Sequence, residues 1–298
     1  MKKLLKNIRS ALKLIGNWIL YLMSFLIPKD KNTWIFIGWR KSKDREIFAE
    51  NPKYVFLHTV QNKKEINAVW IGADDTICKI LSEKGYRAYS VTSLRGIFYS
   101  LRAHYTFLGG LMQPINWRWS GGSRIIQLWH SKSLKKTGYN SPYGLTRYNK
   151  FINPGLFVKY FKFVAMSKYL ANFAAQDFHL KEEQVLITGL PKHDVLRSEI
   201  TGADIDSDTI LLETLNKIKS TKPNKIILYG PTFRPDGSNP LNSIKLDVLD
   251  FFLKEKNLAM VITLHPKFST KDWIPDKNWS NIYFSQNDRD TYPLLENF

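Results

Sequence analysis

His130 closes an apolar run, Ile125-Ile126-Gln127-Leu128-Trp129-His130, and Lys132, Lys135 and Lys136 follow it. In an open parallel sheet, ligands bind at the carboxyl ends of the strands. A histidine there, followed by cations, suits proton transfer beside an anionic substrate. The pattern returns at Met260-Val261-Ile262-Thr263-Leu264-His265-Pro266-Lys267, where the proline keeps His265 extended. Two such edges predict a cleft with a histidine on each wall. A core histidine bonded to backbone, beside a solvated lysine loop, would leave the same trace in the sequence, so neither histidine decides the chemistry alone.

Two further turns have the right residues for phosphate. Gly230-Pro231-Thr232-Phe233-Arg234 follows the apolar run at residues 225–229. Thr232 offers a hydroxyl there, and Arg234 a fork that matches phosphate oxygens. Gly189-Leu190-Pro191-Lys192-His193-Asp194 is a hinge, a phosphate loop or a crossover turn. Asp204-Ile205-Asp206 has a D-x-D spacing, but it precedes a helical pattern and reads better as a helix cap than as a metal site. Zinc-type Cys/His spacing, the P-loop, G-x-G-x-x-G, G-x-S-x-G and nucleic-acid modules are all missing from the sequence; no cofactor is expected.

The elements that must position these residues alternate regularly. Strands are predicted at residues 34–37, 68–71, 87–91, 105–108, 125–130, 163–166 and 184–188, with helices between them. Ser167 is placed to cap the helix that runs to residue 178. The composition turns more polar from about Val195. There a second alternation sets strands at 225–229, 260–265 and 281–284 among helices at about 206–219 and 244–255. Repeated βα units predict parallel sheets covered by helices. The expected division is a helix over residues 1–28, a first Rossmann-like domain over 29–194 and a second, smaller and incomplete one over 195–298.

The 298 residues hold 44 Lys plus Arg against 26 Asp plus Glu, a formal charge of +18 that calls for an anionic partner. Cys78, the single cysteine, excludes an internal disulfide framework and fits a buried structural role in a reducing compartment. At the N-terminus, Lys2, Lys3, Lys6, Arg9 and Lys13 alternate with Leu4, Leu5, Ile8, Leu12 and Ile15, and residues 14–27 carry no charge. That run is shorter than the roughly 20 residues of a membrane span. It reads best as a basic amphipathic helix in a membrane interface, with a short anchor or a helix docked on its own domain as alternatives.

In order and spacing, these pieces resemble the CDP-glycerol glycerophosphotransferase family of teichoic acid synthases and capsule polymerases. The family pattern D-N-P-K, W-H-G-T-P-L-K-K, a helix-opening serine, G-x-P-R-x-D, P-T-[FW]-R and H-P is met by a series of local matches. Glu50-Asn51-Pro52-Lys53 comes first, then Trp129-His130-Ser131-Lys132-Ser133-Leu134-Lys135-Lys136, then Ser167. Gly189-Leu190-Pro191-Lys192-His193-Asp194, Pro231-Thr232-Phe233-Arg234 and His265-Pro266 complete the series. The sequence departs from the pattern at Ser131-Lys132-Ser133, which stands for Gly-Thr-Pro, and at Lys192, which stands for arginine; the family's later D-Y-S-S does not occur.

The resemblance implies a GT-B fold of two Rossmann-like domains facing a cleft, and no catalytic metal. It also implies a membrane-associated enzyme that moves a polyol phosphate from a CDP-polyol to an acceptor hydroxyl and releases CMP. On that basis His130 and His265 are expected to be catalytic. Lys132, Lys135, Lys136, Ser167, Gly189, Pro191, Lys192, Asp194, Thr232, Arg234 and Lys267 are expected to bind substrate or donor. The expected partners are CDP-glycerol or a related donor, a lipid-linked or polymeric acceptor, an anionic membrane surface at the cytoplasmic face, and a second copy of the chain, but no nucleic acid. A GT-B nucleotide-sugar glycosyltransferase and an inactive membrane-binding scaffold are the alternatives.

Overall fold

The computed structural model describes residues 2–42, 45–73, 75–110, 117–130, 137–140, 151, 155, 158–231, 238, 241–264, 277–286 and 289–298. The chain divides into two compact units: Met1–Asp194 with Ile200–Ile205, and Val195–Glu199 with Asp206–Phe298.

In the first unit, seven strands form one parallel sheet. They are β1 (Asp30–Ile37), β4 (Asn67–Gly72), β5 (Ala88–Ser90), β6 (Ala103–Leu108), β7 (Arg124–Gln127), β8 (Tyr160–Ala165) and β9 (Val185–Ile187). Their order is β5-β4-β1-β6-β7-β8-β9. A small antiparallel hairpin, β2 (Trp39–Ser42) and β3 (Arg45–Ile47), follows β1 and was not foreseen in the sequence.

The apolar runs are continuous because both sheet faces are covered. Ile35, Ile37, Val69 and Ile71 pack on one face with Phe178 and Trp117. Phe36, Trp70 and Phe107, offset by one residue, pack on the other with Ile77 and Leu81. This is the period-two alternation of a strand with two cores instead of one. Phe36 pairs in register with Phe107, and their rings stack at 4.7 Å. Helices α2 (Glu50–Asn62) and α3 (Asp75–Glu83) supply the second face, while α4 (Leu94–Arg102) and α5 (Lys168–Phe178) lie among the connections of the sheet. Cys78 is buried in α3.

The N-terminal helix α1 (Lys2–Ser24) docks on this unit through one face. Trp18 and Tyr21 meet Trp117 at 5.3 and 5.4 Å, Arg118 donates to the Asn17 side chain, and Gly121 N donates to Ser24 Oγ. Its other face leaves Leu12, Ile15, Ile19, Leu22 and Met23 more than half exposed. No helix among the described residues is long and apolar enough to cross a membrane.

The second unit holds the parallel sheet β10-β11-β12 (Lys225–Tyr229, Leu258–Leu264, Ile282–Gln286) with α6 (Thr209–Ser220) and α7 (Leu246–Glu255). Leu211, Leu215 and Val261 form the core of one face, and Leu253, Ile262 and Ile282 that of the other. The D-x-D residues do not cap α6. Asp208 does, accepting from Leu211 N at 2.9 Å. Asp206 instead takes a left-handed backbone (φ 58°) and pairs with Arg289. The cap falls at Asp208 because a cap must accept from the second or third helical amide.

Candidate active site

The strand order reverses between β1 and β6: connections run one way to β4 and β5 and the other way to β7, β8 and β9. Such a switch point opens a crevice at the carboxyl ends of the strands. Here the chain delivers Gly109 after β6, His130 after β7, Glu50 at the start of α2, and Lys192 after β9.

Backbone and side-chain bonds bend the end of β7. Leu128 N donates to Leu108 O at 2.7 Å, extending the pairing with β6. Gln127, fully buried, then donates from Nε2 to Gly110 O at 2.7 Å and accepts from Trp129 N at 2.9 Å. The bend puts Trp129 in the left-handed region (φ 54°), which costs a non-glycine residue on the order of 1 to 3 kcal/mol. The ring is anchored among Phe163 and Phe178 at 5.8 and 5.0 Å. The turn re-aims His130 so that its Nδ1 lies 3.1 Å from Gly109 O.

A carbonyl oxygen can only accept, so Nδ1 carries the proton in that contact and Nε2 is left as the basic nitrogen of the neutral ring. The ring is largely buried and lies beside a cation. Burial chiefly, opposed by the Gly109 bond and helped by the Lys192 ammonium, brings the His130 pKa down to about 4. The ring is therefore neutral at pH 7.

Three distant segments meet beneath the histidine. Asn51, completely buried, donates from Nδ2 to Leu128 O at 3.2 Å and Trp129 O at 2.7 Å, and accepts from Lys192 N at 3.1 Å. Lys192 is 5% exposed; its Nζ reaches Glu50 Oε2 and His130 O, each at 2.7 Å. Glu50 is also left-handed (φ 65°). Pro52, in the first turn of α2, packs so close to Gly109 that a Cβ there would lie 2.9 Å from its ring. Next to it, Lys53 is fully buried, donating to Ala203 O at 2.7 Å and Ile205 O at 2.9 Å. The Glu50-Asn51-Pro52-Lys53 stretch thus builds the floor of the site.

The other predicted residues of this unit that the structure describes share the same sheet edge. Ser167 follows β8 and caps α5, accepting from Leu170 N at 3.3 Å. Gly189 (φ 82°) turns the chain out of β9, Pro191 opens the 3-10 turn Pro191–Leu196, and Asp194 is exposed. Lys132, Lys135, Lys136, Thr232, Arg234, His265 and Lys267 lie outside the described residues. Residues 137–140, which follow these lysines in the chain, are held by one carboxylate. Asp177 of α5 accepts from Thr137 N at 3.1 Å, Thr137 Oγ1 at 2.6 Å and Asn140 Nδ2 at 3.0 Å. Gly138 (φ 54°) passes so close that a Cβ would lie 2.3 Å from Asp177 O. Among the described residues, no cluster of His, Cys, Asp and Glu could hold a metal ion.

A seven-stranded Rossmann-type sheet with a neutral histidine at its switch point, joined in the chain to a smaller parallel α/β unit, defines a GT-B-like protein. The wall teichoic acid polymerase TagF has this fold: its structure superposes with a TM-score of 0.66 at 17% identity, covering 98% of this chain and 73% of that one. The family model of CDP-glycerol:poly(glycerophosphate) glycerophosphotransferase matches residues 19–296, and the chain belongs to that family. The teichoic acid ribitol-phosphate polymerase TarL of Staphylococcus aureus is 28% identical over 207 residues, 63% of this chain and 35% of its own length. The teichoic acid poly(glycerol phosphate) polymerase of Bacillus subtilis is 21% identical over 265 residues, 83% of this chain and 33% of its own. This chain therefore spans about a third of the length of these curated relatives.

Sequence reasoning gave no role to Gln127 or Asp177, and quoted Glu50 and Asn51 only as part of a pattern. The adjacency of Asn51 to a proline at a helix start was a visible signal; its partners, up to 141 residues away, were not.

Proposed function

We propose that this chain transfers a glycerol phosphate, or a similar polyol phosphate, from a CDP-polyol to a hydroxyl of a lipid-linked or polymeric acceptor in the synthesis of a teichoic acid-like or capsular envelope polymer. The observation that carries this reading is His130 itself, held neutral at the switch point with Nδ1 bonded to Gly109 O.

The acceptor oxygen attacks the β-phosphorus of the donor, forming one P–O bond as the bond to CMP breaks. His130 Nε2 takes the acceptor proton as the attack proceeds. Its depressed pKa keeps the base unprotonated at rest, and an incoming phosphate, being anionic, raises it toward the value a base needs. His265 and Arg234 stabilise the phosphates and the departing CMP, and the lysines of residues 132–136 draw in the anionic donor.

The exposed apolar stripe of α1, with the basic residues near its start, lies on the anionic cytoplasmic face of the membrane and keeps the enzyme peripheral, near a lipid-borne acceptor.

Labelled CDP-glycerol, CDP-ribitol and UDP-sugars, each offered with a lipid-linked polyol phosphate primer, test the assignment. CMP release with primer extension is expected. Release of UDP alone would make the protein a nucleotide-sugar glycosyltransferase, and a folded protein that releases neither would be a binding scaffold.

A further inference from the structure

We propose that Asn51 is a positioning residue for His130, acting as a clasp that holds the reversed chain at Trp129 and so fixes where the imidazole points. This inference rests on the function proposed above. Four observations carry it.

Asn51 has no solvent exposure, and its amide is used on both sides. The Nδ2 group takes the carbonyls of Leu128 and Trp129, the two peptide units just before His130. Its Oδ1 takes the amide of Lys192, whose own ammonium closes a second arm on the carbonyl of His130. The three carbonyls in succession at residues 128, 129 and 130 are therefore all satisfied by groups from outside β7.

The chain at Trp129 is left-handed, a conformation that persists in a bulky residue only where its surroundings over-determine it. Asn51 and Gln127 grip that residue from opposite ends, Gln127 at the amide and Asn51 at the carbonyl. Release of the carbonyl end frees Trp129 to return to the extended region, and the ring of His130 then swings off Gly109 O.

Asparagine is the side chain this position needs. It must donate twice to carbonyls and accept once from an amide, which neither a carboxylate nor an aliphatic residue can do. An aspartate in its place would set a negative charge against two carbonyl oxygens. The charged groups facing the clasp and the imidazole among the described residues are Lys192, from the turn after β9, and Glu50, from the start of α2.

The test compares Asn51→Asp, nearly isosteric with the wild type, and Asn51→Leu, of similar shape but uncharged and unable to make either set of bonds. Two readouts are taken on the full chain: CMP release from CDP-glycerol, and the titration of His130 by histidine-labelled NMR. The expected result is a fall in kcat of about 10²-fold, the size that follows a misplacement of about 1 Å, with KM changed far less. The His130 titration should also move up toward the ordinary histidine range as the ring loosens and meets water. A folded Asn51→Asp protein with the wild-type His130 titration and wild-type kcat overturns the proposal. If Asn51→Asp does not fold, Asn51→Leu decides by the same two measurements, with no charge added beside the imidazole. If the wild type releases no CMP from any donor, the proposed function fails, while the NMR titration still decides whether the clasp sets the state of the imidazole.

Discussion

Lys192 Nζ lies 2.7 Å from the carbonyl oxygen of His130, across 62 residues of chain, and equally close to Glu50 Oε2. The cation beside the imidazole is thus half of an ion pair, and it repels a proton from His130 without itself leaving the protein. A residue read from sequence as a donor contact holds up the backbone of the proposed base. An arginine in its place, as in the family pattern, would bring a planar fork to the same two oxygens.

His130 should shape the acid stability of the protein. Its folded pKa, about 4, is below the unfolded value near 6.5. Between those limits the unfolded chain binds the extra proton, so stability falls as pH falls. The contribution is complete above about pH 6.5 and is lost toward pH 4, with a ceiling of about 3 kcal/mol. Urea midpoints for wild type and His130→Gln at pH 7, 5.5 and 4.5 measure it, and an equally steep acid slope in the variant would count against the burial of a neutral ring.

Loss of the base should show in turnover. His130→Ala is expected to cut CMP release by about 10² or more, the usual reach of a general base. Wild-type turnover in that variant would make the histidine structural.

Asp177 anchors the residues that follow the lysine loop through three hydrogen bonds. Asp177→Ala leaves those donors bare, at a cost of about 1 to 3 kcal/mol. Gly138→Ala combines a left-handed strain with a clash, and should do similar harm. If residues 132–136 hold the donor, KM for it should rise in both variants by more than kcat falls; steady-state kinetics separate the two.

Buried Lys53 joins α2 to residues 203 and 205. Lys53→Ala removes these hydrogen bonds, strands two carbonyls and opens a cavity, so a loss of about 3 kcal/mol or more is expected. Thermal melts and denaturant titration would register it; a variant as stable as wild type would refute the structural role.

The two faces of α1 should separate by mutation. Ile15→Gln, Ile19→Gln and Leu22→Gln together alter side chains that are 52%, 52% and 62% exposed, so the melting temperature should hold while flotation with anionic liposomes is lost. Trp18→Ala should do the reverse first, lowering the melting temperature through the lost Trp117 contact. Flotation that survives the triple change would place the anchor on the body's own basic surface.

The strands were legible in the sequence because a parallel sheet with two cores writes near-continuous apolar runs, as at residues 68–71 and 105–108. His130 was legible as a strand-end histidine, and Ser167 as a cap. The hairpin at residues 39–47 was not, since Arg40, Lys41, Lys43, Asp44 and Arg45 give it the composition of a loop. The depressed pKa of His130 was equally hidden, because it depends on burial and on Lys192, which arrives from the far side of β9. Asp206 misled because three aspartates crowd one helix start, and only geometry tells which of them reaches the amide.

The docking of α1 has a consequence for the order of synthesis. Asn17 waits 101 residues for its partner Arg118, and Trp18 almost as long for Trp117. At the usual elongation rate of about 5 to 20 residues per second, the helix spends roughly 5 to 20 s outside the ribosome with both apolar faces bare. A bilayer is therefore offered this helix well before its own domain is, and the newborn chain reaches a surface, if one is near, ahead of acquiring the fold that later claims the inner face.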